Sequence, residues 1–129
     1  MLFRSRLKTF GNDVMLSKLR LLALVRGLKE SGARIAGISA PSRASTLVNY
    51  VGLDAAIIDY VCEIEGSLKI GKCMPGTRIP VVEESRLFAD QPDCAIIFSW
   101  HIADEIVPKL RAKGFRGKLV TPLPVPREL

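Results

Sequence analysis

The stretch Gly37–Arg43 carries residue types that can bind a phosphate group. The apolar run Ile35–Ile38 before it has the length of a strand, and Pro41 favours the start of a helix. We expect Ser42 to cap this helix. Backbone N–H groups and a partial positive charge at a helix start attract anions, and Arg43 would add a full charge. The turn is therefore either a phosphate contact or a purely structural junction.

Two other polar stretches follow predicted strands. The stretch Asp59–Glu63 lies at the end of the second apolar run, where an acidic residue would accept ribose hydroxyls or, as we favour, remain a solvated loop carboxylate. Ser99, Trp100 and His101 follow the third run and include the chain's single tryptophan and single histidine. His101 can titrate near neutrality, but one histidine without a second ligand is a poor metal site. We therefore favour an orienting or structural role for His101 over catalysis, and predict no metal site.

The loop Lys69–Arg78 is basic and contains Gly71 and Gly76. Its backbone could close over an anion, and its cations could equally be surface charges. The Gly37 turn lacks the second and third glycines of a dinucleotide fingerprint, so an NAD site is weakly supported. Because no Ser-His-acid triad or paired-carboxylate spacing is convincing, we predict no catalytic residue in this chain.

A long amphipathic helix from Arg4 to Ser31 is predicted to precede these stretches, with Gly32 ending it. A helix packed on a sheet explains this pattern better than a coiled coil or a domain connector. The chain begins inside the helical pattern, as a fragment of a longer protein would. The apolar stripe consists of Leu7, Val14, Leu21 and Leu28, with Phe10 and Leu24 between them.

Short apolar strands alternate with helices along the remaining chain. This order predicts an α/β fold: a Rossmann-like three-layer sandwich with a mainly parallel sheet of about four to five strands. We expect one domain, with a long helix at 1–32 and the α/β core at 33–129. Ligands bind at the carboxyl ends of such strands, at residues 39–43, 63–66 and 99–101 here. Strands are predicted at 35–38, 57–64, 78–82, 94–98 and 118–121, helices at 83–89 and 100–113, and a fold end at Pro122, Pro124 and Pro126.

The composition excludes several classes of protein. The formal net charge is +6, but aromatic residues make up only 6% and do not alternate with basic ones, so we expect no nucleic acid partner. No apolar run approaches ~18 residues, so we expect no membrane partner. Three isolated cysteines without a signal peptide indicate the cytoplasm. Cys62 and Cys94 lie in apolar runs and are predicted to fill the core.

Several stretches together resemble the C-terminal domain of S-adenosylmethionine-dependent nucleotide-sugar C-methyltransferases. The first is similar to the family pattern Gly-Tyr-Gly-Ala-x-x-Lys-Gly-Asn-Thr-Leu-Leu-Asn-Tyr. Each motif alone is only modestly specific, but the motifs occur in the family's order and together cover nearly the whole chain. The matching stretches are Gly37–Tyr50, Ile57–Tyr60, Gly71–Pro80, Ser99–Ile106 and Pro122–Pro126.

This sequence departs from the family pattern at several positions. Ser39 stands in place of a glycine, Arg43 in place of a lysine, and Ala44 and Ser45 in place of Gly-Asn. His101 stands where asparagine is common. The change to arginine keeps the charge, whereas the others bear on the identity of the sugar and the strength of any nucleotide contact.

The resemblance implies a Rossmann-like domain that helps to hold a nucleoside-diphosphate sugar. It places S-adenosylmethionine, the catalytic machinery and a cysteine-rich zinc module in upstream domains. We therefore expect this chain to bind no cofactor, to be inactive alone, and to work with a methyltransferase module in cis or in trans. The alternatives are a free-standing Rossmann-like nucleotide-binding or regulatory module and, less favoured, an NAD-dependent enzyme. The predicted substrate-binding residues are Ser39, Ser42, Arg43, Ser45, Thr46, Arg78, Trp100 and His101.

Overall fold

The computed structural model describes residues 2–39, 41–63, 66–122 and 126–129, with the backbone alone for residues 2–10, Ser42 and Arg43. The helices in these ranges are α1 (Leu2–Glu30), α2 (Ser42–Val51), α3 (Ser85–Asp90) and α4 (Ala103–Ala112), and a 3-10 turn, Trp100–Ile102, precedes α4. The strands are β1 (Ile35–Ile38), β2 (Val61–Glu63), β3 (Val81–Glu83), β4 (Cys94–Ile97), β5 (Lys118–Thr121) and β6 (Arg127–Glu128).

The described strands form one sheet in the order β3-β2-β1-β4-β5-β6. The first five strands are parallel, and β6 pairs antiparallel with β5. The predicted α/β fold with a mainly parallel sheet is confirmed, but with six strands instead of four to five. The expectation that the closing prolines end the fold was wrong, because Thr121 pairs with Arg127 beyond them. Pro124 itself lies outside the described residues.

Helices cover both faces of the sheet, which accounts for the fully buried β1 and β4. On one face, α1 and α2 pack against the sheet through a cluster that includes Leu21, Val25, Val48, Ile96 and Phe98. On the other face, α3 and α4 pack through a cluster that includes Ile38, Leu87, Ile97, Leu110 and Leu119. Alternate side chains of each strand thus enter different cores, as the pleat of a strand requires.

Among its described side chains, the long helix α1 packs on the sheet through those of its carboxyl-terminal half, where Leu21 and Val25 are buried. The side chains of Leu7 and Phe10 lie outside the described part. The helix ends as predicted, because Gly32 has a φ of +82° and the Ala33 N–H donates to the Leu28 carbonyl at 3.0 Å. No described helix is long and apolar enough to cross a membrane. Large apolar side chains that remain exposed on α1 are Val14, Met15, Leu16 and Leu19.

Several predicted element boundaries were wrong, among them that of the third strand, which covers Val81–Glu83 rather than 78–82. The second strand begins at Val61 rather than Ile57, since the Ile57 and Ile58 N–H groups both donate to the Asp54 carbonyl in a turn. Ile64, its predicted end, is not among the described residues. Helix α3 covers Ser85–Asp90 rather than 83–89, because Glu83 is the last residue of β3. The predicted helix 100–113 is divided, because the backbone of Ile102 (φ −122°, ψ 22°) interrupts it.

Residues 71–81 form a hairpin arm in a region whose sequence indicated mostly loop. The Gly71 N–H donates to the Val81 carbonyl (3.0 Å), and the Val81 N–H donates to the Lys72 carbonyl (2.7 Å). The outer strand of this hairpin arm therefore covers the free edge of β3. Its tip is held on α2, where the Asn49 side-chain amide donates to the Pro75 carbonyl at 3.0 Å.

Cys62 and Cys94 are buried, which confirms their predicted place in the core. Burial raises the pKa of the Cys62 thiol to about 12 and that of Cys94 to about 11. Both thiols therefore stay protonated and unreactive near neutral pH. Cys73, in contrast, is exposed on the hairpin arm.

A polar cluster ties the amino-terminal edge of the sheet together. Arg34 donates to one carboxylate oxygen of Asp90 at 2.8 Å, and the buried Tyr60 hydroxyl donates to the other at 2.9 Å. The hydrogen bond from Arg34, followed by that from Tyr60, holds the pKa of Asp90 below its ordinary value. The Arg86 guanidinium lies 4.7 Å from the centre of the Tyr60 ring.

We expect Asp90→Asn to lower the free energy of unfolding by about 1 kcal/mol at neutral pH. Because the pKa of Asp90 is lower in the folded than in the unfolded state, its contribution is present above the unfolded value. That contribution is lost as the pH falls through the folded value. Urea unfolding at several pH values below about 5 should therefore show a shallower loss of stability in the variant than in the wild type.

Asp104→Asn is the control, since Asp104 is an exposed carboxylate in the first turn of α4. As the pH is lowered, the free energy of unfolding of this variant should decrease about as much as that of the wild type. If the Asp90 variant and the wild type lost stability in parallel below about pH 5, the cluster would not account for acid sensitivity.

Candidate functional site

The strand order creates a crevice between the carboxyl ends of β1 and β4. The chain leaves β1 toward β2 and β3 on one side, then returns to β4 on the other side of β1. Ligands of open α/β sheets bind at such a reversal of strand order. Ile38 and Ile97 are register partners, so the turns that follow them start side by side. The structure thus brings the stretches beginning at Ser39 and Ser99 together.

Ser39 adopts a backbone conformation that favours glycine, with a φ of +68°. Its side chain is half-buried, and its N–H donates to the Cys62 carbonyl of β2 at 2.8 Å. This conformation is costly for a residue with a Cβ atom. The positive φ at position 39 accounts for the glycine that stands here in the family pattern that this turn resembles.

We expect Ser39→Gly to raise the free energy of unfolding by about 1 kcal/mol, because glycine adopts positive φ without strain. Urea unfolding at neutral pH measures this change. The matched variant is Ser99→Gly: Ser99 has a φ of −90° and no such strain to relieve, so this change should lower stability. A loss of stability in Ser39→Gly would show that the serine side chain, rather than the backbone, decides this position.

Helix α2 begins one residue earlier than a cap at Ser42 requires. Pro41 occupies the N-cap position with an extended backbone (φ −66°, ψ 159°), and no side chain caps the helix. The prediction that Ser42 is the cap was wrong, because the fixed φ of proline suits the extended cap position and Ser42 is already helical. The side chains of Ser42 and Arg43, and all of Ala40, lie outside the described residues. The first turn of α2 still directs N–H groups towards the crevice edge.

Ser45, one turn into α2, lines a groove of about 160 Å³ between this helix and the hairpin arm. Lys69 and Lys72 place two ammonium groups on the opposite wall, while Thr46 is exposed on α2. The groove therefore combines one hydroxyl and two cations with an otherwise largely apolar lining. Its remaining lining residues are Cys73, Met74, Pro75 and Val81.

Glu63 lies beside this groove at the carboxyl end of β2. Only 14% of its side chain is exposed, and one carboxylate oxygen is 4.0 Å from the Lys69 ammonium nitrogen. It directly follows Cys62, which accepts the hydrogen bond from the Ser39 turn. The carboxylate is thus next to the start of the crevice. The sequence left Glu63 and Lys69 open as possible ligand contacts, because their proximity depends on how the hairpin arm folds back.

Trp100 and His101 lie in the 3-10 turn after β4. Trp100 is half-buried, His101 is exposed, and their rings meet edge to face with centroids 6.5 Å apart. Ser99 before them is 93% buried, and its carbonyl accepts the Ile102 N–H at 3.1 Å. This packing gives the aromatic pair a defined place on the far side of the crevice from α2.

Arg78 is not brought together with the other predicted site residues. It precedes β3, and its N–H donates to the Asp54 carboxylate at 3.4 Å in the loop between α2 and β2. The N–H groups of Ala55 and Arg78 lower the pKa of Asp54. Because both loops precede parallel strands, Arg78 lies at the amino-terminal edge, opposite the crevice.

Comparison with known proteins connects this arrangement to one family. The family model described as the C-methyltransferase C-terminal domain matches residues 3–124. The C-methyltransferase NovU of Streptomyces niveus is 35% identical over 107 residues, which are 81% of this chain and 25% of NovU. The matched region therefore spans about a quarter of that relative's length.

Proposed function

Because this chain belongs to the C-methyltransferase C-terminal domain family, we propose that it holds the methyl acceptor, a nucleoside-diphosphate sugar, for a C-methyltransferase. The observation that carries the proposal is the crevice between β1 and β4, with the start of α2 on one side and Trp100 on the other. A crevice at this point of a parallel sheet, beside a helix start, suits a ligand that contains phosphate.

In this proposal, the diphosphate binds at the start of α2. The N–H groups that precede Ala44 in the first helical turn donate to phosphate oxygens, and Arg43, the second residue of α2, adds a guanidinium cation. The Ala44 N–H itself donates to the Pro41 carbonyl at 2.9 Å. The sugar extends towards Trp100 and His101, which orient it without forming or breaking a bond. Holding the sugar in one orientation reduces the entropy that must be lost before methyl transfer.

We assign the methyl donor S-adenosylmethionine to a module outside this chain. The turn after β1 contains Ser39 and Pro41, where the glycine-rich turns of cofactor-binding Rossmann folds let the ligand approach the backbone. These residues do not fit such a cofactor, so methyl transfer itself takes place on the module that carries the donor. The donor supplies the methyl group, and this chain supplies the acceptor's position.

The module that carries the donor would act in cis or in trans. The relative NovU is about four times as long as the matched region, which supports a further functional part in this family. We also propose the cytoplasm as the site of action, since the three free thiols suit a reducing compartment.

Calorimetric titration of the purified chain tests the proposal. We expect heat of binding with a thymidine-diphosphate sugar and none with NAD, because the turn lacks the glycines that a dinucleotide pyrophosphate needs. A chain that bound neither would contradict the proposed substrate. A chain that bound NAD as tightly as the sugar nucleotide would favour a general nucleotide-binding or regulatory module.

A further inference from the structure

The carboxyl end of β2 brings together a shielded carboxylate and the groove that Ser45 of α2 lines. Glu63 is the last residue of β2, and its side chain is mostly shielded from solvent beside Lys69. Lys69 also lines the groove between α2 and the hairpin arm. The Glu63 carboxylate, the Lys69 ammonium group and the groove are thus contiguous. We call this region, next to the first turn of α2, the corner.

The position of Glu63 matches a recurring feature of nucleotide recognition. In Rossmann folds a phosphate binds at the helix start after β1, and an acidic residue at the end of the next strand binds the pentose. Here, β2 is the direct neighbour of β1, and the Ser39 N–H bonds to the residue before Glu63. A nucleoside diphosphate with its phosphates at α2 would therefore carry its pentose towards Glu63.

The chemistry of the corner suits a nucleoside. A carboxylate offers about four acceptor positions, so Glu63 can accept a pentose hydroxyl while it stays close to Lys69. The 160 Å³ groove beyond it is lined by the apolar residues Met74, Pro75 and Val81 and by a few polar side chains. Such a mixture of apolar contact area and a few polar groups is typical of sites for small organic ligands.

We propose that this corner is the nucleoside subsite of the chain. Glu63 accepts a hydrogen bond from a pentose hydroxyl, and the groove between Ser45 and the hairpin arm receives the base. The inference rests on the proposed function, because it assumes that the phosphates of the same ligand bind at the start of α2. It adds the part of the site that distinguishes a nucleotide from a simple phosphate.

Substitution of Glu63 tests the pentose contact. We expect Glu63→Ala to weaken binding of a thymidine-diphosphate sugar about tenfold, since the hydrogen bond to a charged group from the 3′-hydroxyl, the free hydroxyl of its deoxyribose, is lost. Binding of inorganic pyrophosphate should be unchanged or stronger, because a negative charge is removed beside the phosphate site. Glu63→Gln, which keeps a carbonyl acceptor, should lose less affinity than Glu63→Ala.

Glu83→Ala is the matched control. Glu83 is the register partner of Glu63 on β3 and is exposed, so its loss removes the same charge from the neighbouring strand. It should leave the affinity for the sugar nucleotide close to that of the wild type. Equal affinities of Glu63→Ala and wild type, or an equal loss for pyrophosphate and sugar nucleotide, would overturn the subsite.

Alkylation of Cys73 tests the groove in the unmodified protein. Cys73 lines the groove and is exposed, whereas the thiols of Cys62 and Cys94 are buried with raised pKa values. Thymidine diphosphate should slow the reaction of Cys73 with iodoacetamide several-fold, and pyrophosphate should not. Equal rates with both anions would place the base elsewhere, whereas a wild type that bound no nucleotide would overturn the proposed function itself.

Discussion

Gly37→Ala is expected to lower the free energy of unfolding by about 2–3 kcal/mol. Gly37 is buried in the middle strand β1, and a Cβ atom there would lie 2.5 Å from Cε2 of Phe98 and 2.9 Å from Cγ2 of Val61. Phe98 is fully buried, so its ring cannot move away without disturbing the core shared with α1 and α2. Equilibrium unfolding in urea measures the loss.

Gly27→Ala is the control for this prediction. Gly27 lies within α1, and a Cβ atom built there meets no other atom within 4 Å. Since alanine is the better helix former, this variant should gain about 0.5–1 kcal/mol. If both variants changed stability in the same direction, the close contact with Phe98 would not be the reason for glycine at position 37.

Arg43→Ala is expected to weaken binding of a thymidine-diphosphate sugar by about 10- to 100-fold. This corresponds to about 1–3 kcal/mol for the loss of a charged hydrogen bond to phosphate. Pyrophosphate should lose affinity by a similar factor, because the contact is to the phosphates. In this respect Arg43 differs from Glu63, whose loss should affect only the nucleotide. Calorimetry with both ligands measures the two affinities.

Arg116→Ala removes the same charge at a distance from the crevice. Arg116 is exposed in the loop that precedes β5, at the amino-terminal edge of the sheet. Its loss should change the affinity only slightly and mainly at low salt, through the net charge of the chain. An Arg43 variant with the affinity of the Arg116 variant would remove Arg43 from the site.

The sequence predicted those parts of the fold that depend on local pattern. The bounds of β1 and β5 agree with the prediction, as does the end of α1 at Gly32, because continuous apolar runs and a left-handed glycine are local signals. The family identification was also correct, since the motifs lie in the expected order. The predicted parallel sheet also implied that the stretches beginning at Ser39 and Ser99 lie at the same edge of the sheet.

The remaining features depend on contacts between distant residues. The hairpin arm forms because Val81 bonds to Gly71 and Lys72 on the outer side of β3, and a loop rich in glycine and proline does not reveal such pairing. Arg78 was grouped with the site by its charge, although only the direction of β3 decides at which edge it lies. The role of Pro41 as cap depended on the backbone angles of one turn.

The hairpin arm has a consequence for how the protein behaves at high concentration. Its outer strand occupies the N–H and carbonyl groups of Val81 in β3, which would otherwise be open to strand addition by another molecule, as β6 does for β5. Its tip is tied to α2 through Asn49, and the groove behind it is the space in which we expect the base of a nucleotide. A bound nucleotide would then brace the arm against opening, so the same ligand that occupies the site would also delay aggregation during storage.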